Sequence, residues 1–166
     1  MNRPEINWDD TDVFATGTTG PSGRRVFYLQ AQRAGDLVSL KLEKQQVAGL
    51  AEFLHRMLDD LPPVEQPETD PAGLDASFTE PGEPAWVIGN LGVTYQQSTD
   101  RLVLFVEELI RDEDTEPAQA RFPLSRHQVA AFVEQARKLV TEGRPPCPLC
   151  HEPLEATNDG WCPCVN

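Results

Sequence analysis

Two segments of the chain, 82 residues apart, share a pattern that limits where its helices can lie. Residues 42–48 and 124–130 both read Leu-x-basic-x-Gln-Val-Ala, and each segment continues with apolar residues at three- and four-residue steps. This spacing is typical of a helix with one apolar face. A Pro-Pro pair follows each segment, at 62–63 and at 145–146, and proline cannot continue a helix. The sequence therefore predicts an internal duplication in which a helix closes each half.

Apolar and β-branched runs precede each predicted helix and indicate three strands in each half. Two of the connections, 33–36 and 98–101, are short and polar, which is typical of antiparallel hairpins. The strands are placed at 13–16, 26–31, 37–42, 86–95, 102–107 and 120–124. Because amphipathic helices pack on one face of such a sheet, the predicted fold class is α+β. We expect duplicated βββα units forming an antiparallel sheet with two helices packed on one face, plus a small C-terminal zinc knuckle.

Composition divides the chain into four parts. Residues 1–61 hold the first βββα repeat and residues 85–143 the second, and residues 144–166 form the zinc knuckle. Between the repeats, residues 62–84 contain six prolines and six acidic residues but no lysine or arginine. This composition is typical of a connector that forms no core of its own. We therefore predict an acidic, proline-rich linker between the two repeats.

The charge of the chain restricts its partners. It carries 27 acidic against 14 basic residues, and a net charge of −13 repels the phosphodiester backbone, so we expect no nucleic-acid partner. No apolar run approaches the roughly 18 residues that a membrane-spanning helix needs. The first ten residues are polar and acidic, unlike the apolar core of a secretory signal. A soluble, cytoplasmic protein with no membrane partner is expected.

All four cysteines lie within the last twenty residues, at 147, 150, 162 and 164. A Cys-x-x-Cys turn lets two thiolates bind one tetrahedral Zn²⁺, and a second turn supplies the remaining ligands. The predicted cofactor is a structural zinc, because four protein ligands leave no position for a catalytic water. Two disulfides or free thiols are the alternatives, and a reducing compartment favours the metal. The predicted ligands are Cys147, Cys150, Cys162 and Cys164, with His151 as the alternative fourth ligand.

A glycine-rich turn at residues 17–25 is the second candidate site. Backbone amides in such a turn can bind an anion, and neighbouring arginines would neutralise its charge. The spacing matches neither a Walker A loop nor a dinucleotide fingerprint, so a plain connection between two strands is the competing interpretation. Lys44 and Gln46, at the start of the first helix, are better explained by capping and surface polarity than by ligand binding. The candidate ligand-binding residues are Gly20, Gly23, Arg24, Arg25 and Lys44.

Several motifs together resemble one family. The stretch Asp12-x-Phe14-x-x-Gly17-Thr18-x-Gly20-x-x-Gly23-Arg24, the Leu42–Val47 segment and the Gly143–Cys150 segment are similar to an uncharacterised actinobacterial family of conserved hypothetical "repeat proteins". The resemblance covers nearly the whole chain. It implies a soluble bacterial protein with two related halves and a zinc-binding tail, and it implies no activity.

The end of the chain departs from that family. Relatives read Gly-His-x-Cys-Pro-Arg where this chain reads Asp159-Gly160-Trp161-Cys162-Pro163-Cys164, so the histidine ligand is absent. Cys164 replaces it more readily than His151, because the adjacent residues Cys150 and His151 project in different directions. The resemblance thus implies that the fourth ligand is either Cys164 or His151.

Two functional hypotheses follow. The first is a non-enzymatic zinc-binding interaction or adaptor protein with a protein partner, because the chain lacks His-Glu-x-x-His, Gly-x-Ser-x-Gly and other catalytic patterns. The second is a small enzyme or anionic-ligand-binding module that uses the 17–25 turn. A deep cleft lined by the basic residues would favour the second. The sequence leaves the oligomeric state open.

Overall fold

A computed structural model describes residues 5–21, 23–62 and 78–141, which contain seven strands and two helices. The elements are β1 (Ile6–Asn7), β2 (Val13–Thr19), β3 (Val26–Arg33), β4 (Asp36–Leu42), α1 (Lys44–Asp60), β5 (Ile88–Gln96), β6 (Arg101–Glu108), β7 (Gln119–Leu124) and α2 (Arg126–Thr141). We call β2, β3, β4 and α1 the first half and β5, β6, β7 and α2 the second half. The mixed α+β class is confirmed, and β1 is a strand that the sequence pattern did not predict.

The predicted hairpins are present in both halves. Strands β3 and β4 pair antiparallel around Ala34 and Gly35, whose φ angles are 50° and 87°. Two successive positive φ angles match the right-handed twist of the strands, which is why such turns join hairpins. Strands β5 and β6 pair antiparallel around a turn that ends at Asp100, with φ of 52°.

The strands form two sheets, so the prediction of one antiparallel sheet was wrong. One sheet has the order β2-β3-β4, and the other has the order β1-β7-β6-β5 with β1 and β7 parallel. The chain just before β5 adds to β4 through a parallel bridge between Lys41 and Val87, and the Lys41 N–H donates to the Trp86 carbonyl at 3.2 Å. The residues before the first strand of each half thus pair with the last strand of the other half, so each sheet consists of the three strands of one half and a short segment from outside it.

Both helices begin where the sequence placed them. The Gln128 backbone N–H donates to the Ser125 hydroxyl at 3.1 Å, and the Ser125 N–H donates to the Gln128 side-chain oxygen at 2.9 Å. This reciprocal pair satisfies two backbone donors that the helix leaves unbonded. In α1 the Glu43 N–H donates to the Gln46 side-chain oxygen at 2.8 Å. Ser125 is therefore the N-cap of α2, and the capping role of Gln46 is confirmed.

One apolar core joins the two halves. Phe14 of β2 packs against Phe132 of α2 and Phe122 of β7, with ring centroids 4.9 and 6.4 Å apart. Leu54 of α1 belongs to the same cluster and is fully buried. Helix α2 contacts both α1 and β2, so the helix of the second half covers a strand of the first. The core therefore depends on both halves together.

Candidate functional site

A groove runs between β2, an edge strand, and α2. Its cavity is open to solvent and has a volume of about 520 Å³, and we call it the β2–α2 groove. The helix runs alongside the strand, because Gln128 contacts Thr11 while Gln135, two turns later, accepts the Thr16 N–H at 2.9 Å. The groove is lined by Thr16, Gly17, Thr18, Phe78, Ala131, Glu134, Gln135, Lys138 and Leu139.

Phe78 forms one wall of the β2–α2 groove and lies against Gly17. A Cβ on Gly17 would overlap the Phe78 ring, so glycine is needed for this approach. The ring also lies 6.3 Å from that of Tyr28. The position of Phe78 is held by the next residue, because the side chain of Gln30 donates to the Thr79 carbonyl at 2.6 Å and accepts the Thr79 N–H at 3.0 Å. Residues 78–79 belong to the stretch that the sequence assigned to the linker, and they pack on the first half.

The lining of the β2–α2 groove is mixed in character. Phe78 and Leu139 supply apolar surface, whereas Glu134 and Lys138 are exposed and place opposite charges at its rim. The Thr16 hydroxyl donates to the Tyr28 carbonyl at 2.8 Å and is therefore already engaged. The lining includes no cysteine, serine or histidine that could serve as a nucleophile or general base. Its chemistry suits binding by apolar contact and hydrogen bonds.

The predicted anion-binding residues lie beyond the end of β2. Gly20 and Gly23 have φ of 90° and 87°, and a Cβ on Gly20 would lie 2.7 Å from the Arg24 carbonyl oxygen, so this turn requires glycine. Arg24 is exposed and Arg25 is partly buried. We call Gly20, Gly23, Arg24 and Arg25 the basic turn. None of its residues lines the β2–α2 groove.

A polar cluster in the second half was not predicted. The Arg126 Nε donates to both carboxylate oxygens of Asp100, at 2.9 and 3.2 Å, and the Tyr95 hydroxyl donates to one of them at 2.6 Å. Burial opposes ionisation of Asp100, but the hydrogen bonds from Tyr95 and Arg126 outweigh it, so the pKa of Asp100 lies below its ordinary value. The only sequence signal was the basic position that Arg126 shares with Lys44.

The predicted zinc ligands lie outside the described residues. Cys147, Cys150, Cys162, Cys164 and His151 all belong to the C-terminal stretch beyond Thr141. Within residues 5–21, 23–62 and 78–141, no group of three histidine, cysteine, aspartate or glutamate side chains is placed to hold a metal ion. Over the same ranges, no helix combines the length and the apolar character needed to cross a membrane.

Comparison with known proteins identifies a family but no activity. No curated protein and no solved structure matches the chain. Residues 6–162 match the family described as "Protein of unknown function (DUF3090)". This match spans both halves and extends to the third cysteine of the tail. The chain therefore belongs to the DUF3090 family, whose function is unknown.

Proposed function

We propose that this protein is a non-enzymatic binding protein whose ligand lies in the β2–α2 groove. The observation that carries the proposal is the cavity of about 520 Å³ with the Phe78 ring seated on Gly17. Ligand sites are usually clefts of about 300–1,000 Å³ with an apolar lining and a few polar groups. The groove has this size and character, and its lining includes no cysteine, serine or histidine.

The lining defines the class of ligand. Phe78 and Leu139 offer contact to an apolar body, and the Lys138 ammonium at the rim offers a partner for an acidic group. Gln135 accepts the Thr16 N–H through its side-chain oxygen and adds polar surface to the lining between the strand and the helix. We therefore expect a small amphipathic ligand with one acidic end.

Anilinonaphthalene sulfonate is a suitable probe, because it joins an apolar ring system to an anionic group and fluoresces in apolar sites. We expect Lys138→Gln to weaken its binding about twofold to fivefold, in line with the loss of up to about 1 kcal/mol from an exposed charge pair. Gly17→Ala should weaken it by at least as much, because the new Cβ displaces Phe78. Binding is measured by fluorescence titration, and amide NMR shifts locate the probe.

Gly92→Ala is the matched control for the glycine substitution. Gly92 also lies in a strand, and a Cβ added there meets nothing within 4 Å. This variant should bind the probe like the wild type. The proposal is abandoned if the wild-type protein does not bind the probe, or if the NMR shifts fall on the smaller pocket of about 280 Å³ around Phe105 and not on Thr18 and Lys138.

A second candidate function rests on the C-terminal cysteines. We propose that Cys147, Cys150, Cys162 and Cys164 bind one structural zinc and that the tail so formed docks a protein partner, which would make the protein an adaptor. In zinc-finger peptides such binding contributes roughly 10–16 kcal/mol, enough to order a short segment.

The zinc proposal predicts a definite set of ligands. Untagged protein purified under reducing conditions should contain one zinc per chain, and Cys147→Ser should lose the metal. Cys164→Ser should also lose it, whereas His151→Ala should retain it. Elemental analysis measures the zinc, and capture of a host protein by the wild type but not by Cys147→Ser tests the adaptor role. Zinc-free wild-type protein would exclude this candidate.

A further inference from the structure

The basic turn and the start of α1 lie at the same end of the first sheet. Phe27 of β3 pairs with Leu42 of β4. Arg25 lies two residues before Phe27, and Lys44 lies two residues after Leu42 as the first residue of α1. The register therefore brings two positively charged residues to one end of the sheet, with Arg24 beside them.

The second half has the same register but different charges. Leu102 of β6 pairs with Leu124 of β7. Asp100 lies two residues before Leu102, and Arg126 lies two residues after Leu124 as the first residue of α2. Here the two positions carry opposite charges and form an ion pair of 2.9 Å, which the Tyr95 hydroxyl completes.

The comparison shows an excess of positive charge in the first half. Arg25 stands where the second half has Asp100, so a cation replaces the internal carboxylate. Within the described part of the chain, no ion pair engages Arg24 or Arg25. Lys44 already takes part in another interaction, so the two arginines are the cations available to a ligand. The exposed Glu43 offsets one of the three positive charges that Arg24, Arg25 and Lys44 contribute.

We infer that the basic turn binds an oxyanion, the carboxylate or phosphate group of a ligand, at Arg24 and Arg25. In the second half, the Asp100 carboxylate is such a group, and it accepts hydrogen bonds from the Arg126 guanidinium and the Tyr95 hydroxyl. The planar arginine fork presents paired N–H donors that match carboxylate and phosphate oxygens. An anion bound there would relieve the repulsion between the neighbouring cations. This site is separate from the β2–α2 groove and does not depend on the function proposed for it.

Phosphate titration of the wild type and of Arg25→Asp tests the inference. Inorganic phosphate should raise the wild-type Tm by about 4 °C at ten times its Kd, relative to sodium chloride of equal ionic strength. Arg25→Asp should show no such rise, because its carboxylate occupies the place of the ligand. Arg111→Asp makes the same change of charge on an exposed loop and should respond like the wild type. Sodium acetate in a parallel titration distinguishes carboxylate from phosphate.

The reciprocal variant tests the comparison between the halves. Asp100→Asn removes the carboxylate that pairs with Arg126, so phosphate should bind to Arg126 in this variant and shift the NMR signal of its side chain. In the wild type, phosphate should leave the Arg126 signal unchanged. The inference fails if phosphate stabilises Arg25→Asp as much as the wild type, or if neither phosphate nor acetate stabilises the wild type. It also fails if phosphate leaves the Arg126 signal of Asp100→Asn unchanged. Binding of the sulfonate probe in the groove should be the same in Arg25→Asp and the wild type.

Discussion

At the scale of single residues, two glutamines connect the halves in opposite directions. Gln128 is 4% exposed, and its side-chain NH₂ donates to the carbonyls of Thr11 at 2.7 Å and Asp12 at 3.3 Å, just before β2. Gln46, 82 residues earlier, donates to the Ile88 carbonyl at 3.4 Å, at the start of β5. Each glutamine also caps its own helix. One side chain thus starts a helix and holds the first strand of the other half.

These two glutamines should differ in their effect on stability. Gln128→Ala removes short buried hydrogen bonds and leaves backbone groups without partners, so we expect a loss of about 2–3 kcal/mol in the free energy of unfolding. Gln46→Ala removes longer and more exposed bonds at the matching position and should cost about 1 kcal/mol or less. Urea denaturation measures both. Equal losses would contradict the asymmetry of burial on which this prediction rests.

At the scale of elements, an ion pair fastens the β5–β6 turn to α2. Arg126 and Asp100 are 23% and 33% exposed in their side chains, and the Arg126 guanidinium also donates to the Pro62 carbonyl at 2.7 Å, just after α1. Three elements therefore meet at one side chain. Because the pKa of Asp100 is lowered by this contact, the folded state favours its ionised form.

The lowered pKa of Asp100 predicts how stability depends on pH. A depressed carboxyl pKa stabilises the fold above the unfolded value of about 4, and this contribution disappears as pH falls through the folded value. Asp100→Asn should therefore lose about 1 kcal/mol at pH 7, the scale of a partly exposed pair, and almost nothing at pH 2. Asparagine tolerates a positive φ as well as aspartate does, so the substitution should leave the backbone conformation of this turn unchanged. Urea unfolding at several pH values is the measurement, and a loss that is independent of pH would contradict it.

At the scale of the whole molecule, the two halves complete each other. Strand β1 adds to β7, residues 85–87 add to β4, and α2 covers β2. Each sheet therefore forms backbone hydrogen bonds with a segment that directly precedes the other half in the chain. The buried residues of both halves form one cluster.

A chain built in this way should not fold as separate halves. Residues 1–62 and 78–141, expressed as separate fragments, should each give the narrow amide NMR spectrum of an unfolded chain, because each exposes half of the shared core. The intact protein should unfold in one cooperative transition. A dispersed spectrum from either fragment alone would show that the halves are independent domains.

Sequence patterns located most elements correctly because these elements depend on interactions between residues close together in the chain. The three- and four-residue apolar steps of α1 and α2, and the hairpin turn at Ala34–Gly35, depend on interactions between near neighbours in the chain. Strand β1 was not predicted because it has only two residues and forms by pairing with β7, more than 110 positions away in the chain. The internal duplication and the zinc tail stay predictions.

The candidate sites divide along the same line. The glycine turn, the capping role of Gln46 and the apolar helix faces could be predicted from the sequence, because each depends on local geometry and on the chemistry of adjacent residues. The position of α2 beside β2, the contact of Phe78 with Gly17 and the correspondence of Arg25 with Asp100 could be recognised only in the folded structure. These relations follow from strand register and core packing, in which residues far apart in the chain become neighbours, and no local pattern encodes such neighbours.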